Sequence, residues 1–187
     1  MNPLFHQSFA TTIIERRSIR KLKHDPSITK EQINEAVQLA LHSPSAFHMQ
    51  SSRIVVLTED FHRNYWECVK ENEHVDRTKI SGFQNGNGTV LFYEDNKTIK
   101  NMETEYPKYK EWFERCALEG NAMLQYAVWL ALTTQHIAAS IQHFTTEPKQ
   151  ITMDSNWTLL AQMPFGRADE SVEQRVFLPY KERVMWF

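Results

Sequence analysis

The chain is short of glycine. The usual share of about 7% would put roughly 13 in a protein of this size, yet its 187 residues include five: Gly82, Gly86, Gly88, Gly120 and Gly166. That scarcity argues against nucleotide sites in which glycine backbone cradles a phosphate. Gly86-Asn87-Gly88 does not rescue one, because the pattern after it reads as a strand where a dinucleotide fingerprint needs a helix. Cysteine is scarcer still. Cys68 and Cys116 form no CxxC and have no His at ligand spacing, so neither a disulfide framework nor a zinc site is indicated, and buried or half-buried free thiols are expected. Charge of one sign is lacking too. With 21 Lys plus Arg against 23 Asp plus Glu, and a pI of about 6.4, nothing pulls the whole chain toward nucleic acid or an anionic membrane. No stretch approaches about 18 uncharged apolar residues, and Met1 to His6 lacks the basic start and apolar run of a leader. The expectation is a cytoplasmic protein with neither a nucleic-acid nor a membrane partner.

What is present reads as one α+β domain over residues 1–187. Hydrophobic residues make up 41% and charged residues 24% of it, enough for a core without staples. Phe5, Phe9, Ile13 and Ile14 have helical spacing over Asn2 to Glu15. Thr29 with Gln32 three residues later forms a capping box for a helix whose stripe is Ile33, Ala36, Val37, Ala40 and Leu41, stopped by Pro44. Arg53 to Thr58 reads as a buried strand, and Asp60 as the cap of a helix to about His74. Gly82 to Gly88 reads as a turn before a strand from Thr89 to Tyr93. Tyr106 to Phe144 reads as helical, and Ala122 to Ala139 is so poor in charge that its own domain or a partner subunit must enclose it. A strand from Trp157 to Phe165 and an apolar, basic tail from Phe177 to Phe187 complete the pattern. Such a tail docks onto something.

Three features could carry chemistry. The run Arg16 to Lys23 holds five cations around Ser18. It reads as a solvated loop, as a phosphate site, since arginine forks match phosphate oxygens in pairs, or least readily as a nucleic-acid contact. The loop Ser43 to Ser52 reads either as a plain helix-to-strand connection or as hydroxyl, amide and imidazole groups for a flat ligand. His136 and His143, seven apart on the helical stretch, read as core or interface histidines rather than metal ligands. No nucleophile elbow, P-loop or Ser-His-Asp pattern occurs. These residues suggest a phosphorylated planar ligand and no self-sufficient catalytic group.

Arg16-Arg17-Ser18-Ile19-Arg20, Pro44-Ser45-Ala46-Phe47-His48-Met49-Gln50, Gly88 to Asp95, Gln162-Met163-Pro164-Phe165-Gly166 and Lys181-Glu182-Arg183-Val184 together resemble the flavin-dependent nitroreductase family, most closely its short fatty-acid-repression branch. The matches run in register along essentially the whole chain. The resemblance implies a nitroreductase-like fold, with an antiparallel or mixed central sheet flanked by helices, in an intertwined homodimer that binds two FMN molecules at its interface. Arg16, Arg17, Ser18 and Arg20 would hold the phosphate, ribityl chain and pyrimidine edge, with Lys181 and Arg183 completing the phosphate cluster. Pro44, Ser45, His48 and Gln50 would come from the other subunit, and Pro164, Phe165 and Gly166 would lie along the isoalloxazine. The implied activity is two-step hydride transfer from NAD(P)H through flavin to a nitroaromatic or quinone, with Arg17 or Arg20 beside the reduced ring and no side chain as obligatory acid or base. Two departures from the family pattern stand out: His48 where asparagine is usual, and His136 and Ala138 where glycines are usual. Those departures leave open a second reading, a flavin-binding or lipid- and stress-responsive module with weak turnover.

Overall fold

The computed structural model describes residues 8–187. Phe5 of the N-terminal helical pattern lies outside that span. Helix α1, Phe9–Glu15, is capped by Ser8, whose hydroxyl accepts from the Thr11 N–H. A short strand β1, Leu22–Lys23, leads to α2, Lys30–Ala40, where Thr29 and Gln32 close the expected capping box. Helix α2 buries Ile33, Ala36 and Ala40 but leaves Leu41 59% exposed. Strand β2, Ser52–Thr58, is followed by α3, Glu59–Asn72, and α4, Arg77–Gln84. Asp60 does not cap α3: Thr58 holds that position, without a side-chain bond, and Glu59 follows in left-handed geometry with φ 52°.

Strand β3, Gly88–Asp95, is buried throughout. It pairs antiparallel with β2 on one side and with the long β5, Trp157–Ala168, on the other. Beyond β5 lie β1 and the two-residue β4, Ala138–Ala139, also antiparallel, and a parallel bridge joins Ser18 to Ala139. Both faces of β3 are covered, so its alternating side chains serve two cores. Val90 and Phe92 join Leu124, Val128 and Leu132 on the α2 and α6 face, while Leu91 and Tyr93 join Tyr65, Trp66 and Phe83 on the α3 and α4 face. A buried histidine lies against the second core. His62 is 1% exposed; its Nε2 donates to the Gln84 carbonyl (3.1 Å), and its Nδ1 accepts from the Thr89 hydroxyl (2.8 Å), which itself accepts from the Trp66 indole (2.9 Å). Burial pushes its pKa down to about 4, keeping it neutral.

Helix α5, Asn96–Glu105, precedes α6, Lys110–Thr134, the spine of the molecule. The helical pattern over Tyr106 to Phe144 therefore overran at its C-terminal end, because the chain turns sharply at His136. Its N–H reaches the Thr133 carbonyl and that of Ile137 reaches Leu132, with His136 left-handed at φ 58°. This is a Schellman stop with histidine in glycine's usual place. His143 is accordingly not on the same helix. Gly82 lies inside α4 and is not part of a turn; a Cβ there would come within 2.5 Å of the Arg20 carbonyl oxygen. Cys68 is buried and Cys116 half-buried, both free. No helix among the described residues is long and apolar enough to cross a membrane.

After β5 the chain doubles back. Lys21 donates its N–H to the Glu170 carboxylate at 3.0 Å, Arg17 donates to the Glu173 carbonyl, and Arg175 donates to the Ile13 and Ile14 carbonyls. The remaining tail, with the short helix α7, Tyr180–Arg183, leaves Phe177, Leu178, Tyr180, Met185 and Trp186 each more than 60% exposed.

Candidate functional site

The expected ligand-contacting residues fall into two groups. In the first, the C-terminus of α1 delivers Arg16 over the Trp129 ring, 4.1 Å from its centroid. Burial, with Arg175 nearby, holds Arg16 below the usual guanidinium value. Ser18 bridges to Ala139, and the Ile19 N–H donates to the Ala139 carbonyl (3.1 Å). Ala138 and Ala139 in turn pair with Gly166 and Phe165. Strand pairing thus sets the basic run, the 136–139 segment and Pro164 to Gly166 side by side. The basic run and the 136–139 segment border a hollow of about 210 Å³ lined by Arg17, Ile19, Thr133, His136 and Ala138, among others. The Phe165 ring faces the core, 1% exposed, and Pro164 pairs with Thr89, so this stretch presents no open aromatic face and backs the 138–139 segment without lining the hollow.

This first group binds anionic oxygen already. The consecutive N–H groups of Arg20 and Lys21 both donate to one oxygen of Glu170. A carboxylate seated on two amides amid five cations is a stand-in for phosphate, so the donor chemistry fits the FMN phosphate. The space does not suffice: about 210 Å³ falls below the roughly 300–1,000 Å³ usual for a ligand of this kind. Lys181 and Arg183 are not brought to the run; both are exposed on α7, and among the described residues neither side chain has a hydrogen bond or ion pair.

The second group is the loop after α2. Pro44, His48 and Gln50 are exposed, Ser45 is half-buried, and the Ser45 hydroxyl accepts from the Gln50 N–H (3.1 Å). The loop lies on α6 at Gly120, where an added Cβ would sit 3.6 Å from that of Ser45, and a hollow of about 130 Å³ opens between them. The first group meets the same helix at Thr133, thirteen residues farther on. At 1.5 Å per residue the groups stand about 20 Å apart. One chain therefore does not bring the two groups together around one ligand. A further hollow, about 410 Å³ between α2 and the edge strand β2, includes His24, Lys30, Asn34 and Glu59 and meets the two groups only through Phe165.

The sequence reading passed over residues that support the second group. Arg53 pairs with Asp95 at 2.7 Å, and Glu94 is buried with Asn121 donating to one of its oxygens (2.9 Å). Burial raises the Glu94 pKa, and its other oxygen has no partner. The available signals were an arginine opening a β-branched run and an Asp-x-x-Thr cap at Asp95.

Residues 13–167 match the Nitroreductase family, and the chain belongs to it. Among relatives, the Saccharomyces cerevisiae nitroreductase-like protein HBN1 is 27% identical over 168 residues, covering 85% of this chain and 87% of its own. Among solved structures, the nitroreductase CinD from Lactococcus lactis, in complex with nicotinic acid, superposes with a TM-score of 0.89 at 26% identity over 96% of this chain and 100% of that one; another structure of it contains 4-nitrophenol. A protein from Exiguobacterium sibiricum in complex with FMN shares the fold, with a TM-score of 0.73 at 15% identity over 97% and 98% of the two chains.

Proposed function

We propose that the protein is an FMN-dependent NAD(P)H oxidoreductase that works as a homodimer on small aromatic acceptors of the nitroaromatic or quinone kind. The carrying observation is the division of the site: a cationic half and a Ser45–Gln50 half about 20 Å apart on one helix. A second copy packed against α6 would bring one half from each chain together. The outer side of α6 supports this, with Leu118, Met123 and Tyr126 more than 40% exposed, as do the apolar tail and the β2 edge, which pairs with nothing but β3 among the described residues. Two free thiols suit a reducing compartment such as the cytoplasm.

In this reading Arg16, Arg17, Ser18 and Arg20 hold the phosphate and sugar chain. Lys181 and Arg183 join them across the dimer, and backbone at Pro164, Phe165 and Gly166 floors the ring site. When bound, FMN supplies the hydride chemistry, taking a hydride from NAD(P)H and passing it on to the acceptor. The protein supplies placement and charge: the guanidinium of Arg17 or Arg20 favours negative charge on the ring, and His48 and Gln50 meet it from the partner. CinD complexes with nicotinic acid and 4-nitrophenol support a flat aromatic acceptor.

An absorption spectrum of the purified protein with added FMN, before and after anaerobic NAD(P)H, tests the proposal. Stoichiometric yellow protein that bleaches is expected; protein that stays colourless at saturating FMN overturns it. Lys181→Ala with Arg183→Ala should weaken FMN about tenfold or more without lowering the melting temperature, since both side chains are exposed. Glu170 on the phosphate-binding amides favours the second reading, a flavin-binding module with little turnover. Bound flavin that does not bleach would select it.

A further inference from the structure

The loop from Ser45 to Gln50 has three non-glycine residues in left-handed geometry, Phe47 and His48 at φ 53° and Gln50 at φ 47°. Each such residue is strained by its Cβ, so contacts elsewhere must over-determine the loop. Two anchors hold its middle. The Phe47 ring stacks among Tyr106, Tyr109 and Phe113 at centroid distances of 5.0 to 5.4 Å, and Met49 is buried against Ile99 and Phe113.

The third anchor is Arg53. One guanidinium nitrogen donates to the carbonyls of Gln50 (2.8 Å) and Ser52 (3.0 Å); the other donates to Asp95 (2.7 Å) and the Thr98 hydroxyl (3.3 Å). The Asp95 N–H takes the intervening Ser51 carbonyl (2.9 Å), while its carboxylate caps α5 through the N–H groups of Lys97 and Thr98. The Arg53–Asp95 pair thus fixes three successive carbonyls and ties them to α5, which leads to the Tyr106 against which Phe47 packs. Met49 faces inward, while Phe47 leans on its neighbouring rings yet stays 52% exposed, beside the exposed side chains of His48 and Gln50.

We propose that Arg53, through Asp95, is a positioning residue for the cofactor: it holds the strained loop so that His48 and Gln50 are presented, preorganised, to flavin bound in part by a second copy. The inference rests on the FMN reading above. A site that must meet a ligand carried by another subunit gains from a loop that needs no ordering on binding. Lysine cannot replace this arginine, because one ammonium on a flexible stem cannot span two carbonyls and a carboxylate in a fixed plane.

Two measurements on Arg53→Lys test the proposal. Without cofactor, chymotryptic cleavage after Phe47, followed by mass spectrometry, should rise about fivefold or more while the melting temperature stays near that of wild type, because only the loop is released. With FMN, affinity from flavin fluorescence quenching should fall about tenfold, and the visible circular dichroism of bound flavin should change. Asp95→Asn should do the same, and the double variant should be little worse than either single one, since both act on one clamp. Thr98→Val, which removes one bridging hydroxyl, should shift cleavage and affinity the same way by about two- to threefold. It decides the matter if Arg53→Lys fails to fold.

Unchanged cleavage, affinity and dichroism in a folded Arg53→Lys overturn the proposal, as does an unchanged Thr98→Val where it is the deciding variant. If wild-type protein binds no FMN, the functional reading falls by itself, and the cleavage assay still reports whether Arg53 holds the loop.

Discussion

The two halves of the candidate site use glycine in opposite ways. In the cationic half, Gly86, Gly88 and Gly166 lie where backbone or ring leaves no room: an added Cβ would come within 2.5 Å of the Phe165 carbonyl oxygen, 2.5 Å of the Phe165 ring and 2.9 Å of the Lys23 carbonyl oxygen, respectively. None of the chain's glycines has positive φ. The loop half has no glycine of its own, yet Phe47, His48 and Gln50 are left-handed. Glycine here provides space, and contacts provide conformation. The cationic half is accordingly rigid by exclusion, whereas the loop half is held by ring contacts to Phe47 and the Arg53–Asp95 clamp. The first should respond to added volume and the second to lost contacts.

The largest effect that could break this contrast is at Gly88. A Cβ there would meet the Phe165 ring at 2.5 Å and the Leu57 carbonyl oxygen at 2.6 Å. Gly88→Ala should lose about 4 kcal/mol in a urea melt or fail to fold, because backbone cannot yield cheaply; a loss under about 1 kcal/mol would show that the half is not packed to exclusion. Next is pH. His62, bonded to Thr89 beside that glycine, is held down to about 4, against about 6.5 unfolded. Between those values the unfolded chain binds a proton that the folded chain does not. Stability is complete above about 6.5 and should fall by about 3 kcal/mol as the pH drops to 4. Much of this precedes protonation of Glu73, whose carboxyl the Thr145 and Thr146 hydroxyls hold below its usual value. Glu94, below the loop half, has the opposite sign: raised by burial, it lets the folded chain bind the extra proton, so its contribution falls as pH rises above the ordinary carboxylate range. Glu94→Gln should therefore steepen the acid loss, and equal slopes would deny the two halves their opposed titrations.

Much of this was legible beforehand, for physical reasons. The Thr29–Gln32 box and the β3 run are local signals that tertiary packing did not override. The helix drawn through to Phe144 failed because its stop is a left-handed histidine: composition marks a Schellman turn by glycine, and this chain gives the position to His136. Gly82 was misread for the converse reason, since close approach to Arg20 leaves no local trace. Arg53 was missed because a charge at the start of a strand looks like a solvated end until the fold sets Asp95 beside it. Even Gly120, which no motif explained, gains its reason from the loop lying across it.

The smallest effect is the most direct test of the contrast. His136 is exposed, and its left-handed φ of 58° costs an L-residue about 1–2 kcal/mol relative to helical geometry. His136→Gly removes that cost but adds about 0.5–1 kcal/mol of backbone entropy to the unfolded chain, leaving a net stabilisation of about 0.5 kcal/mol. His136→Ala keeps a Cβ and should gain nothing. Paired urea melts of the two variants isolate the conformational term, since both remove the imidazole alike. Glycine would then stabilise at position 136 while its loss destroys the fold at position 88, the same residue acting through conformation in one place and through volume in the other. Equal stability of the two His136 variants would mean that this left-handed turn is unstrained, and that contacts rather than the lack of a Cβ set its geometry.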